Sequence, residues 1–187
     1  MKILPTALPG CYQIITDIRR DERGSFVKVF HEEVFRENGL ATDYAEEFYT
    51  ISQRNVIRGL HFQTPPHDQA KLVYCLHGGA IDVALDLRKG SPTYGRHITL
   101  ELSAENGYML YLPPGLAHGF CSLSDQALMV YKVTTTYAPA HDSGVLWNSA
   151  GVVWPVQEPI LSARDRSFPA LAEFDSPFVY HGAGAPA

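Results

Sequence analysis

No apolar run in this 187-residue chain approaches the ~20 residues that a membrane-crossing helix needs. A basic excess is missing too: 15 Lys and Arg face 20 Asp and Glu, a formal charge of -5, which argues against a nucleic acid partner. That balance still admits a small anionic ligand, because a few clustered cations suffice for one diphosphate. Cysteine is sparse. Cys11, Cys75 and Cys121 are odd in number and lack any CxxC spacing, so neither a disulfide framework nor a zinc site is expected. They read as reduced, half-buried thiols of a cytoplasmic protein. Met1–Gly10 carries a single Lys and no long apolar stretch, unlike a secretory leader. Internal repeats, low-complexity tracts and dividing linkers are absent, so residues 1–187 are read as a single domain. The small-residue tail His181–Ala187 is expected to be flexible and to carry no chemistry.

What is present is mostly β. Tyr12–Ile18, Ser25–Phe30, Phe48–Ser52, Lys71–Leu76, Ala80–Leu87, Ile98–Leu102, Tyr108–Leu112 and Ala127–Thr136 read as short strands between turn residues. Alternation is clear in Ala80–Leu87, where Asp82 and Asp86 fall on one face. His31–Asn38 reads as a helix ending at Gly39. Many closely spaced strands point to an all-β sandwich or barrel. From Pro139 to Pro177 the pattern loosens into a Trp- and Pro-rich stretch, expected to pack irregularly over the barrel end.

Three islands could carry chemistry: Arg58–Gln63 with Pro65-Pro66 and Gln69-Ala70-Lys71; Pro113–Phe120; and Tyr131-Lys132. The second contains the PxGxxH turn of cupin-type jelly rolls, with His118 expected at the barrel mouth. Where a metal cupin would have HxH, this chain has His61-Phe62-Gln63, a poor ligand set, so the barrel is expected to hold no metal. The same residues suit proton transfer beside a carbonyl, which needs a base near neutral pKa, a cation for the enolate oxygen and an acid on the opposite face. His61, Lys71 and Tyr131 can fill those roles. Taken singly, each has a plainer reading as a core or edge residue.

The ordered islands RGLHFQ, PP, QAKLV, DVALDLRKGSPTYG, LSAEN, LPPGLAHGF, LSDQA, YK, WN and LSARD closely resemble the dTDP-4-dehydrorhamnose 3,5-epimerase family, over about 17–171. The resemblance implies a cupin-like jelly roll with a few short helices, a homodimer, no cofactor, and a nucleotide-diphosphate sugar as the small-molecule partner. It makes His61 the base, Tyr131 the proton donor, Asp165 the carboxylate behind His61, and Lys71 the cation at the enolate oxygen. A carboxylate behind the imidazole would fix its tautomer, as in a Ser-His-Asp triad. Arg58, His118, Asp142 and Arg164 match binding positions, Tyr137 an aromatic that stacks on the base, and Arg23 a contact made across the dimer interface.

Departures cluster at the binding positions. Phe26 is followed two residues later by Lys28 where the family commonly has Glu; Glu46 and Phe48 stand near its thymine-contacting Gln and Asn; WNDP reads Trp147-Asn148-Ser149-Ala150; Ala140 replaces a Glu. The catalytic positions are unaltered. A carboxylate offers acceptors only and would suit guanine or cytosine donors, so a GDP- or CDP-linked sugar stands beside dTDP as an alternative. Also open are a heptose substrate, inversion at C3 or C5 alone, a metal-dependent oxygenase or isomerase, and a non-catalytic sugar-binding cupin.

Overall fold

The computed structural model describes residues 1–182; from Ala183 onward the expected flexible tail lies outside the described residues. Its strands are β1 (Lys2–Pro5), β2 (Tyr12–Ile15), β3 (Ile18–Asp21), β4 (Gly24–Val27), β5 (Glu46–Ser52), β6 (Ile57–Gln63), β7 (Lys71–His77), β8 (Gly79–Asp86), β9 (His97–Ser103), β10 (Tyr108–Leu112), β11 (Leu116–Ser122), β12 (Ala127–Val133) and β13 (Asp142–Gly144). Two short helices, α1 (Glu32–Glu37) and α2 (Ala163–Ser167), and a 3-10 turn at Leu171–Glu173 complete the described elements. A six-stranded sheet, β1-β2-β10-β7-β12-β5, faces a five-stranded one, β13-β6-β11-β8-β9; β3 and β4 form a separate hairpin. All pairings between strands are antiparallel, and the architecture is a cupin-like jelly roll.

The core has three layers. Val73, Cys75, Ala80, Ala84, Leu110, Phe120 and Met129 meet between the sheets. Leu72, Tyr74, Met109 and Val130 face outward from the larger sheet onto Phe35 and Leu40. Leu60, Phe62, Val83, Leu85 and Ala117 face outward from the smaller sheet onto Val145, Val152 and Phe178. Both faces of the central strands are therefore dry, which is why β7 reads as an unbroken apolar run rather than an alternating one. A six-residue helix is far too short to persist alone, so α1 is held by packing: Phe35 is fully buried, worth roughly 2–3 kcal/mol.

Several expected boundaries shift. Tyr12–Ile18 splits at Thr16-Asp17 into β2 and β3, because Thr16 turns its hydroxyl to the Gly107 carbonyl at 2.8 Å. The Ser25–Phe30 run stops at Val27, leaving Lys28 outside the strand, and the Ala127–Thr136 run stops at Val133. Expected helix His31–Asn38 starts at Glu32, with Gly39 at φ 69° just past its end as a C-cap requires. The three thiols are fully rather than half buried. The loosened stretch after Pro139 supplies β13 and α2 and covers the smaller sheet.

Candidate active site

β6 and β11 fall on the motif islands, not on the runs that read as strands, because glycines interrupt them. His118 pairs with His61 and Phe120 with Arg58, so β6 carries one residue more than its partner between those pairs. That bulge centres on Gly59, at φ 122°. Two side chains three residues apart would normally point to opposite faces of a strand; the extra residue turns Arg58 and His61 to the same side. Only glycine fits there, since an added Cβ would lie 2.5 Å from Gly119 Cα and 2.7 Å from the His118 carbonyl oxygen. On β11, the Pro114-Gly115 corner (φ 86° at Gly115) feeds His118 into the barrel as expected.

A cavity of about 460 Å³ opens between the sheets, lined by Arg58 and His61 from β6, Lys71 from β7, His118 from β11 and Tyr131 from β12. Glu46, Phe48 and Thr50 line it from β5, and Tyr137 and Asp142 line it too. His61 Nε2 lies 2.6 Å from Asp165 Oδ1, and that carboxylate is almost fully buried. Asp165 sits in the first turn of α2, where its backbone N–H donates to the capping Ser162 hydroxyl at 3.0 Å. Burial would raise the Asp165 pKa, but the hydrogen bonds from His61 and Ser162 outweigh it and hold the acid below its usual value. Ionised Asp165 therefore accepts from Nε2–H and leaves a lone pair on Nδ1. Burial pushes the His61 pKa below 6.5, only partly offset by Asp165.

Lys71 Nζ is 3.5 Å from the His61 carbonyl oxygen. Burial brings its pKa down to about 8, against the pull of Asp142 and Asp82. The Tyr131 phenol goes the other way, raised by burial well above the usual phenol range. Its ring stacks on Phe48 at 4.9 Å and 14°, and meets the edge of His118 at 5.7 Å. Arg58 Nε donates to Ser52 Oγ at 2.9 Å. Arg164 pairs with Asp142 at 2.7 Å beside Phe168.

The structure thus brings His61, Lys71, Tyr131 and Asp165 together with Glu46, Phe48, Arg58, His118, Tyr137 and Asp142. It does not bring in Arg23, Phe26 or Lys28 from the same chain. Arg23 lies exposed on the β3–β4 hairpin, paired with Asp21 at 2.5 Å, and Phe26 is 61% exposed. Glu46 has a local use: its Oε1 accepts from the Tyr137 backbone N–H at 3.0 Å. Asp82 is a partner that sequence reasoning left without a role. It accepts from His118 Nε2 at 2.8 Å, fully buried, and burial raises its pKa despite that contact. The signal was the Asp82/Asp86 face of Ala80–Leu87, which proves to be the barrel-facing side. Asp86 on that face is purely structural, accepting from Arg88, Ser91 and Thr93. Among the described residues no cluster of three His, Cys, Asp or Glu side chains could hold a metal ion, and no helix is long and apolar enough to cross a membrane.

Fold and cavity together define a jelly-roll protein equipped for acid–base chemistry at a carbon centre. The sequence model of the family described as dTDP-4-dehydrorhamnose 3,5-epimerase matches residues 5–173, and the chain belongs to that family of isomerases. It is 42% identical over 168 residues to the dTDP-4-dehydrorhamnose 3,5-epimerase of Shigella flexneri, covering 88% of this chain and 93% of that one. It is 39% identical to the dTDP-4-dehydrorhamnose 3-epimerase of Streptomyces niveus, covering 92% and 85%. The crystal structure of the Legionella pneumophila dTDP-6-deoxy-D-glucose-3,5-epimerase in complex with dTDP-4-keto-L-rhamnose superposes with a TM-score of 0.92 at 34% identity, over 97% of this chain and 99% of that one.

Proposed function

We propose that this protein epimerises a dTDP-linked 4-keto-6-deoxyhexose at C3 and C5, the dTDP-4-dehydrorhamnose 3,5-epimerase reaction. C3 and C5 both flank the C4 ketone, so one base and one enolate-stabilising cation serve both. His61, through Nδ1, takes the proton from carbon; Asp165 steadies the imidazolium; Lys71 holds the C4 oxygen as it becomes an enolate; Tyr131 returns a proton to the opposite face. Phe48, Arg58, His118, Tyr137, Asp142 and Arg164 hold the sugar, diphosphate and base. The observation that carries this reading is the 2.6 Å His61–Asp165 contact opening onto a cavity shared with Lys71 and Tyr131.

The whole of 1–187 acts as one domain, working as a homodimer in the cytoplasm without a cofactor. Arg23, Phe26 and Lys28 reach the partner's cavity, a reading supported by their exposure outside their own. The Tyr137 backbone gives Glu46 a donor within the chain, so the carboxylate needs none from guanine or cytosine; this supports dTDP. A second reading, inversion at C3 alone, is favoured by the likeness to the Streptomyces niveus 3-epimerase.

Proton NMR of dTDP-, GDP- and CDP-4-keto-6-deoxyhexoses in heavy water tests both. Deuterium should enter C3 and C5 of the dTDP sugar; His61→Ala should abolish entry at both carbons, and Tyr131→Phe should spare entry yet impair inversion. Deuterium at C3 only would select the second reading. Unimpaired exchange by His61→Ala would defeat both.

A further inference from the structure

Thr50 sits on the inner face of β5, two residues from Phe48 and diagonally across the β5–β12 ladder from Tyr131, whose direct partner is Phe48. It lines the same cavity as the reacting groups. Its hydroxyl oxygen is buried, and no group among the described residues meets it with full hydrogen-bond geometry. A buried hydroxyl left open costs free energy, so its retention needs a reason. The polar group it acts on is the Tyr131 phenol: burial raises that phenol's pKa, and hydrogen bonding from the Thr50 side chain is the strongest influence drawing it back down. Phe48 stacks on one face of the ring and the His118 edge meets it from another side, which holds the ring's orientation.

We propose that Thr50 is a positioning residue for proton return, donating its O–H to the Tyr131 oxygen as that oxygen becomes phenolate. The inference rests on the role given to Tyr131. In the step, the Tyr131 O–H bond breaks and its proton bonds to the enolate carbon, whose electron pair returns from the C4 oxygen. The phenolate is held by Thr50 until water restores its proton, and His61 releases the proton it took to water, so the cycle closes without net change. Abstraction by His61 involves no charge on Tyr131 and does not need Thr50.

Thr50→Val keeps the branched shape and removes only the hydroxyl; Thr50→Ser restores it. With a dTDP-4-keto-6-deoxyhexose in heavy water, Thr50→Val should lower the rate of inversion about 10- to 100-fold, the value of a hydrogen bond to a charged group. Deuterium entry at C3 should stay within about twofold of the parent, since base and cation are untouched. Thr50→Ser should recover most of the inversion rate. Equal loss of entry and inversion in Thr50→Val, or failure of Thr50→Ser to recover, would overturn the proposal for Thr50 alone. Normal inversion by Tyr131→Phe would overturn the role of Tyr131 and this proposal with it.

Discussion

Replacing Lys71 with Met should make the folded protein more stable at neutral pH while removing its activity. Burial brings the Lys71 pKa from 10.5 to about 8, so the cavity disfavours the ammonium form. That gap corresponds to about 3 kcal/mol of native-state cost at pH 7. Lys71 keeps some solvent access, which reduces the expected gain on substitution to about 1–3 kcal/mol. Met fills a similar volume without charge. The sign depends on pH. Where the unfolded chain binds the proton and the folded one does not, between about 8 and 10.5, wild-type stability rises with pH. The cost is full below that window and gone above it. Urea unfolding should therefore show Lys71→Met ahead at pH 7 and level with wild type at pH 10.5, and a melt at pH 7 should rise by about 3–9 °C. Deuterium entry into substrate should fall to background. A variant less stable than wild type at pH 7, or a gain that does not shrink with pH, would refute the account of Lys71 as a cation held at a cost for catalysis.

The pH profile of kcat/KM should be bell-shaped, with its acid limb below pH 6.5, where His61 gains a proton, and its alkaline limb near pH 8, where Lys71 loses one. Initial rates from pH 5 to 9.5 check this, and Lys71→Arg should move the alkaline limb out of range. Gly59→Ala should destabilise the fold by about 2–5 kcal/mol in chemical denaturation, because its Cβ meets the β11 backbone at a positive φ. Mixing Arg23→Ala with His61→Ala subunits should restore up to about a quarter of wild-type turnover, since half the dimers are mixed and each of those has one intact site; no recovery, with mixed dimers verified, would place Arg23 outside the partner's cavity.

The strands, the helix before Gly39 and the PxGxxH corner were legible because each depends on local chemistry: β-branched and aromatic runs, a left-handed C-cap, a proline–glycine turn. The β6 and β11 strands were not, because Gly59 and Gly119 blur alternation where the two backbones approach closely. His61, Lys71 and Tyr131 could be proposed as a set from residue type alone. Asp165 could not, lying 104 residues from His61 on a one-turn helix whose sequence gives no hint of direction; it came from the family resemblance. Asp82 and Thr50 escaped for another reason. Each acts through a neighbour across a strand ladder, and register is a tertiary fact that periodicity does not encode.

One physical influence sets the three groups to which the proposed mechanism gives the reaction in the states it requires. Burial disfavours charge, so it lowers the pKa of His61 and of Lys71 and raises that of Tyr131. At pH 7 the imidazole is then free to accept a proton, and the phenol keeps its own to give. Lys71 alone is pushed toward the wrong state, and Asp142 and Asp82 resist the push, leaving it mostly charged. On the proposed mechanism these two carboxylates therefore serve the reaction through Lys71, by keeping it charged. The cavity is buried enough to strengthen its charges, and the acids placed beside Lys71 keep that charge from being lost.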